Sequence, residues 1–226
     1  MLASSCERAK TVLTQEAIIE AAAEVADAGG VAAVTMRSVA KILGVEAMSL
    51  YYHVANKDAL LDSLADWVFE QIILPDLDEH WRLGMIARAH SARSVLSKHS
   101  WALGMLESRP TPGEKLLRHH DRILGCLLRG GMSPVLAAHA FSAIDSYIYG
   151  FVLTEASISS SPENPVEEGF SAEVVKQAEK YPNMALIAMA AVNDYNFTFE
   201  DEFDYGLNLI LDGFEARLHS QSENTD

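Results

Sequence analysis

Apolar positions recur at three and four residues along most of the chain, and no window alternates apolar and polar residues over the length of a strand. That period predicts an all-α fold. The first stripe, Ile18, Ala22, Val25 and Ala26, follows Thr14, a good helix cap, and stops at Asp27-Ala28-Gly29-Gly30. Thr35 caps a second stripe of Met36, Val39, Ala40 and Leu43. Gly44 ends it, since glycine enters the left-handed region without steric cost. Val45 and Leu50 return to the same small core. Asn56 caps a fourth helix in which Leu60, Leu61, Leu64, Trp67 and Val68 form one face, running towards Pro75.

Beyond Pro75 the spacing predicts a long helix over about 78–98, with Trp81, Met85, Ala89, Ala92 and Leu96 on one side. A short helix comes next over 101–106, then a break at 108–113. The next helix carries Leu116, Leu117, Ile123, Leu124, Leu127 and Leu128 and ends at Gly130-Gly131. Ser133-Pro134 restarts the chain with a cap and a proline at the first helical position. This helix runs to about Ser157 and holds Ala138, Phe141, Asp145, Ile148 and Val152. Residues 159–169 read as a mobile acidic loop. A helix from about Ser171, kinked near Pro182, continues through Val192. The last helix, 200–219, repeats Phe203, Leu207, Ile210, Leu211, Phe214 and Leu218. Residues 1–12 and 220–226 read as poorly ordered ends. No flexible linker separates the fourth helix from the helices beyond Pro75, which suits a mechanically coupled switch better than two independent modules.

The second short helix after Gly44 carries more large or polar residues than so small a unit can bury: Ala47, Met48, Ser49, Tyr51, Tyr52 and His53. A helix–turn–helix uses that surplus to touch DNA. One of Tyr51 and Tyr52 is expected to be largely buried, and the other to pack on sugar or a thymine methyl. Ala47 and Met48 cannot make bidentate base contacts, so specificity would rest on apolar contacts, few hydrogen bonds and DNA shape.

Thr35-Met36-Arg37-Ser38-Val39-Ala40, Gly44-Val45, Leu50-Tyr51-Tyr52-His53-Val54 and Asn56-Lys57-Asp58-Ala59-Leu60-Leu61 together resemble the DNA-binding domain of the tetracycline-repressor (TetR) family. The resemblance implies a three-helix DNA-binding domain over 1–57 and an α-helical effector-binding and dimerisation domain over 58–226. It also implies a ligand-responsive repressor that binds a near-palindromic, double-stranded operator as a homodimer. The DNA contacts it implies are Thr35 and Arg37 at the phosphates, Ala47, Met48, Ser49, Tyr51 and Tyr52 at the bases and sugars, and His53 and Lys57 at the backbone. The final helix resembles that of the tetracycline-repressor subgroup. An interface is therefore expected from Phe141, Ile144 and Ile148 with Leu207, Ile210, Leu211, Phe214 and Leu218.

Trp67, Trp81, Trp101, Met105, Tyr147 and Phe151 are candidates for a cavity that takes an apolar or aromatic effector, with Arg109, Asp145 and Glu155 as orienting polar groups. Tetracycline repressors hold a magnesium–drug complex through a histidine just before the Arg-Pro break and a glutamate late in the long helix. The matching positions here are Met105 and Thr154, with Glu155 one residue off, a poor magnesium site. Tetracycline is therefore not the expected effector.

Composition changes the picture in one respect. The net charge is −15, which argues against broad nucleic-acid binding. Residues 1–60 hold five cations (Arg8, Lys10, Arg37, Lys41 and Lys57) against seven carboxylates, so the acidity lies mainly in the remainder. Few phosphate contacts per subunit and a strong dependence on dimerisation are expected. The two cysteines, Cys6 and Cys126, suit neither a metal site nor a disulfide framework and fit a reduced, cytoplasmic setting. No signal peptide and no run of about 18 apolar residues is evident, so no membrane partner is expected. His119-His120-Asp121 reads first as a solvated helix face. No cofactor or metal is called for, and no phosphate loop, nucleophile elbow or Cys–His pair points to an enzyme. Two alternatives remain open: an effector-independent activator or architectural protein, and an all-α enzyme built on the histidine pair.

Overall fold

The computed structural model describes residues 13–107, 113–159, 176–193 and 199–223. These residues form ten α-helices and one short 3-10 turn, with no strand among them: α1 Gln15–Gly29, the turn Val31–Ala33, α2 Met36–Leu43, α3 Ala47–Leu50, α4 Lys57–Glu70, α5 Trp81–Lys98, α6 Trp101–Glu107, α7 Glu114–Arg129, α8 Pro134–Ser159, α9 Pro182–Asn193 and α10 Phe199–Glu223. Several starts follow the caps read from sequence. Thr14 accepts from Ala17 N, and Asn56 Oδ1 from Ala59 N at 2.8 Å. Thr35 and Ser38 bond each other's backbone N–H at 3.0 and 2.9 Å, satisfying two of the free donors at the start of α2. Several boundaries differ from expectation: α9 begins at Pro182 after a turn at 177–180 and does not pass through it as a kinked helix, and α10 runs to Glu223, into the tail expected to be poorly ordered. α4 stops at Glu70 rather than running towards Pro75, and α5 starts at Trp81, where His80 Nδ1 accepts from Arg82 N.

Two apolar cores share one helix. The first gathers Ile18, Ala22 and Ala26 from α1, Val39 and Ala40 from α2, Leu50 from α3, and Leu60 and Leu64 from α4. The second takes Val68 and Phe69 from the far half of α4. It adds Met85, Ala89 and Leu96 of α5, Ile123 and Leu127 of α7, Ile144 and Ile148 of α8, and Phe203, Leu207 and Leu211 of α10. α4 therefore belongs to both units, and the packing is continuous across a boundary placed at 57/58. Trp67 and Trp101 touch both cores. Trp101 Nε1 donates to Asp27 Oδ1 at 2.6 Å, and His99 Nδ1 lies 2.8 Å from the same oxygen, tying α6 to the end of α1.

Residues 134–157 of α8 are long and apolar enough, by length and composition, to cross a membrane, contrary to the expectation of no such stretch. Their inward face packs on α5, α7 and α10 and carries Asp145, paired with Arg88 of α5. That makes the segment the central helix of the second core. α8 and α10 approach closely at Gly206, where any side chain would collide with the ring of Tyr147, whose hydroxyl donates to the carbonyls of Glu202 and Phe203.

Candidate DNA interface and effector cavity

Gly44 makes the turn between α2 and α3 possible, with φ 68° and ψ 31°, in the left-handed region. Its N–H and that of Val45 close the α2 carbonyls of Lys41 and Ala40. α3 is only one turn long. The chain then tightens, with Tyr51, Tyr52 and His53 bonding three residues back to Met48, Ser49 and Leu50. Leu50 and Val54 point inward and hold this element on the core. Val45, expected in that core, is exposed. Tyr51 and Tyr52 are both exposed, at 46% and 90%, so neither is the buried partner expected of the pair: Leu50 and Val54 already fill the inner positions.

Met48, Tyr51, Tyr52 and His53 thus form an exposed ridge, with Ala47 and Ser49 half-buried beside it. Thr35, Arg37 and Lys41, which precede the ridge on α2 and its cap, and Lys57, which follows it at the start of α4, are exposed. Among the described residues no ion pair involves Arg37, Lys41 or Lys57, whereas Arg82, Arg88, Arg93, Arg118, Arg129 and Lys115 all hold carboxylates. Arg37, Lys41 and Lys57 remain available to an outside anion. All nine residues expected at DNA lie on α2 and its cap, on α3 and the tight turn after it, or at the start of α4, and are exposed or half-buried.

The second unit contains a cavity of about 410 Å³. α4 contributes Ala65, Asp66 and Phe69 to its wall, and α6 contributes Met105. Gly113 and α7 supply Leu116 and His120, and α8 supplies Phe141, Ser142, Asp145, Ser146 and Tyr149. Of the residues expected to contact an effector, Met105 and Asp145 line this space. The others do not. Trp81 is buried beneath Gly130 in the core, and Trp67 and Trp101 sit between the two units. Tyr147 and Phe151 pack on Phe203 of α10. Glu155 is held by Arg93, through contacts of 2.7 and 3.2 Å, and by Ser97, which keep its carboxyl below its ordinary range. Arg109 lies outside the described residues. Thr154, matched to the metal-binding glutamate, donates its hydroxyl to Gly150 O on its own helix.

Behind the cavity wall lies a buried polar cluster that sequence alone did not reveal. Arg88 Nη1 meets Asp145 Oδ1 at 2.6 Å, Tyr149 donates to Asp145 Oδ2 at 3.3 Å, and Arg88 Nε donates to His119 Nε2 at 3.4 Å. The last bond makes Nε2 the acceptor, so the ring is neutral with its proton on Nδ1, an atom without a partner among the described residues. Burial, then Arg88 and His120, push His119 down to about 3. Burial also lowers His120, against the opposing pull of Asp145, and raises the Tyr149 phenol. The histidine pair is thus not a solvated face: His119 is buried, and only Asp121 is exposed. Among the described residues no group of three metal-binding side chains forms. Cys126 is buried, which raises its thiol, and Cys6 lies outside the described residues.

The sign of the resulting pH dependence is fixed. Above the ordinary histidine value, folded and unfolded chains are both neutral at His119. As pH falls below about 6.5 the unfolded chain takes up a proton that the folded chain refuses until about 3, so stability drops, by about 2 kcal/mol between pH 7 and pH 5. His120 adds in the same direction. Urea unfolding should show this loss in the native sequence and a smaller one in His119→Gln. Equal losses in the two chains would refute it.

The residues expected at the dimer interface mostly face inward. Ile144, Ile148, Leu207 and Leu211 are buried within the single chain, and Phe141 lines the cavity. Ile210, Phe214 and Leu218 are half-buried against the same core. The apolar surface left outside is different and includes Leu153 of α8, Tyr205 and Leu209 of α10, and Met184, Leu186, Ile187 and Met189 of α9.

An exposed helix–turn–helix joined by one shared helix to a cavity-bearing helical unit defines a one-chain DNA-binding regulator. Residues 18–64 match the family model for bacterial regulatory proteins of the tetR family, and residues 74–218 match the tetracyclin repressor-like C-terminal domain. An HTH-type transcriptional regulator of Saccharopolyspora erythraea is 30% identical over 92% of this chain and 87% of its own. The class A tetracycline repressor protein from transposon 1721 of Escherichia coli is also 30% identical, over 92% of this chain and 93% of its own. Apo ActR of Streptomyces coelicolor, at 24% identity, shares the fold with a TM-score of 0.73 over 94% of this chain and 100% of that one. The chain belongs to the TetR family of transcriptional regulators. Its relatives are regulators and not enzymes.

Proposed function

We propose that this chain is a repressor that binds a near-palindromic operator as a homodimer in the cytoplasm and leaves it when a small apolar or aromatic effector fills the α4–α8 cavity. The observation that carries this reading is the double membership of α4. Leu60 and Leu64 anchor the DNA-binding core, while Ala65, Asp66 and Phe69, on the next turns, line the cavity. A ligand there touches the helix that positions α3. Release requires that it bind the conformation with displaced reading elements more tightly than the DNA-competent one, since equal affinity shifts nothing. The functional division falls near residues 57/58, with α4 as the shared lever. Leu153, Tyr205, Leu209 and the exposed face of α9 would meet a second copy, which supplies the second reading element that so acidic a chain needs.

Selection of bound fragments from a random DNA pool, followed by footprinting, tests this. A repressor dimer should protect a near-palindrome with two major-groove contacts about one helical turn apart or slightly more. Lys57→Ala should weaken binding to every sequence and flatten the salt slope by about one unit. Tetracycline with magnesium should leave the complex intact. Protection of no DNA, an unchanged slope, or clean release by the magnesium–drug complex would each refute the corresponding part.

A further inference from the structure

The cavity wall carries a definite chemical preference. Its charged layer is already balanced: the Arg88 guanidinium is buried behind the wall and held at 2.6 Å by Asp145, whose other oxygen takes the Tyr149 hydroxyl. Among the described residues no cation lines the space, and two carboxylates, Asp66 and Asp145, do. An anion entering it would shed water and meet no counter-ion among the described wall residues, at a cost that no hydrogen bond to a neutral group offsets. Asp66 sits against the backbone of Gly113 at one edge, and Asp145 already has its cation.

Three polar groups on the wall remain unused. His120 is half-buried, stands edge-on to Phe141 with ring centroids 4.9 Å apart, and hydrogen-bonds to no described residue. Its burial and the nearby Arg88 favour the neutral ring, which offers one donor and one acceptor. Ser142 and Ser146, one turn apart on α8, also face the space and make no hydrogen bond to a described residue. Around these groups stand the rings of Phe69, Phe141 and Tyr149, in a volume that suits roughly two or three fused rings.

We infer that the effector is an uncharged aromatic molecule bearing a hydroxyl or carbonyl oxygen, and that His120 is the residue that reads that oxygen. This rests on the cavity being the effector site. Asp145 serves as a positioning residue. It fixes Tyr149 and Arg88 and so neutralises the wall beneath the rings, leaving the imidazole edge as the group able to select one ring system over another.

Four matched probes test it on the full chain by equilibrium dialysis: 2-naphthol, naphthalene, 2-naphthoate and 2-naphthylmethylammonium. 2-Naphthol should bind about fivefold more tightly than naphthalene, as one net hydrogen bond gives, and at least tenfold more tightly than either ion. His120→Phe, which keeps the apolar surface, should erase the preference for 2-naphthol over naphthalene. His120→Gln, which keeps a donor and an acceptor, should retain it. Phe141→Trp, which fills the space, should weaken all four probes, and melting curves confirm that each variant folds. An intact naphthol preference in His120→Phe, or an ion binding as tightly as 2-naphthol, overturns the inference. If the probes bind without preference and still release DNA, the inference fails while the cavity reading stands. If none binds, both fail.

Discussion

Asp145→Ala should destabilise the chain by about 3–5 kcal/mol, the largest effect expected of any single substitution on the cavity wall. The substitution removes few atoms, but it leaves Arg88 only 1% exposed, with no counter-ion. A guanidinium cannot relieve this by losing its proton. His119 cannot serve as a counter-charge, because it is neutral and already accepts from Arg88 Nε. Tyr149 loses the acceptor for its hydroxyl as well. Against a total stability of about 5–15 kcal/mol for an ordinary domain, the change is a large fraction. The double variant Arg88→Met/Asp145→Leu should recover most of the loss, since a buried pair replaced by apolar groups of similar size is often neutral. Chemical unfolding of native, single and double variants decides the matter. A single variant within about 1 kcal/mol of the native chain, or a double variant no better than the single, would show that the pair does not carry the cluster.

The DNA-binding unit was legible in the sequence because its information is local. Thr35, Gly44 and Asn56 mark two helix starts and one turn within a short stretch, and each acts through its own backbone. The inner stripe of α1, α2 and α4 follows from the 3.6-residue period, and the excess of Met48, Tyr51 and Tyr52 over what the core could hold marked the exposed ridge. A large ring is an easy core candidate by size, but Leu50 and Val54 fill the inner positions, so both tyrosines turn outward.

The cavity was largely illegible for the opposite reason. Large aromatic residues were the natural candidates, yet large side chains fill space, and Trp81 occupies the core outright. A cavity forms where side chains are small or absent, as at Ala65, Gly113, Ser142 and Ser146, brought together from separate stretches of chain. Two signals were available. Asp145 is an acid at the middle of a mainly apolar helix, and Arg88 is a cation directly beside Ala89 on the buried face of α5. Each demands a buried partner of opposite charge, and pairing them places α5 against α8 and puts the polar floor beneath the wall. The proposed dimer face is hidden by the same logic. A helix that packs on both its own core and a second copy has two apolar sides, and its period reveals the stronger one. That is the stripe of Leu207 and Leu211, which belongs to the chain's own core.

Leu209→Arg should convert the proposed dimer to monomer and cut operator affinity by about 10²–10⁴-fold. Leu209 is 56% exposed on α10, one turn from the exposed Tyr205, on the side away from the buried Leu207 and Leu211, so the substitution leaves the core untouched. In a two-fold arrangement each copy presents the same patch, so one substitution places two new guanidinium groups in or near a face of Tyr205, Leu153 and their partners. The monomer retains its reading element, with Met48, Tyr51 and Tyr52 unchanged, and loses only the tether that makes the second half-site an intramolecular event. The small unit has few cations to offer phosphates, so the tether matters more here than for a strongly basic regulator. Sedimentation and gel-shift titration of native, Leu209→Ala and Leu209→Arg chains should show a graded loss of the dimer and of operator affinity together, with the helical content of the folded chain unchanged. Loss of operator binding from a chain that still sediments as a dimer would place Leu209 outside the interface, and so would unaltered sedimentation and affinity in Leu209→Arg.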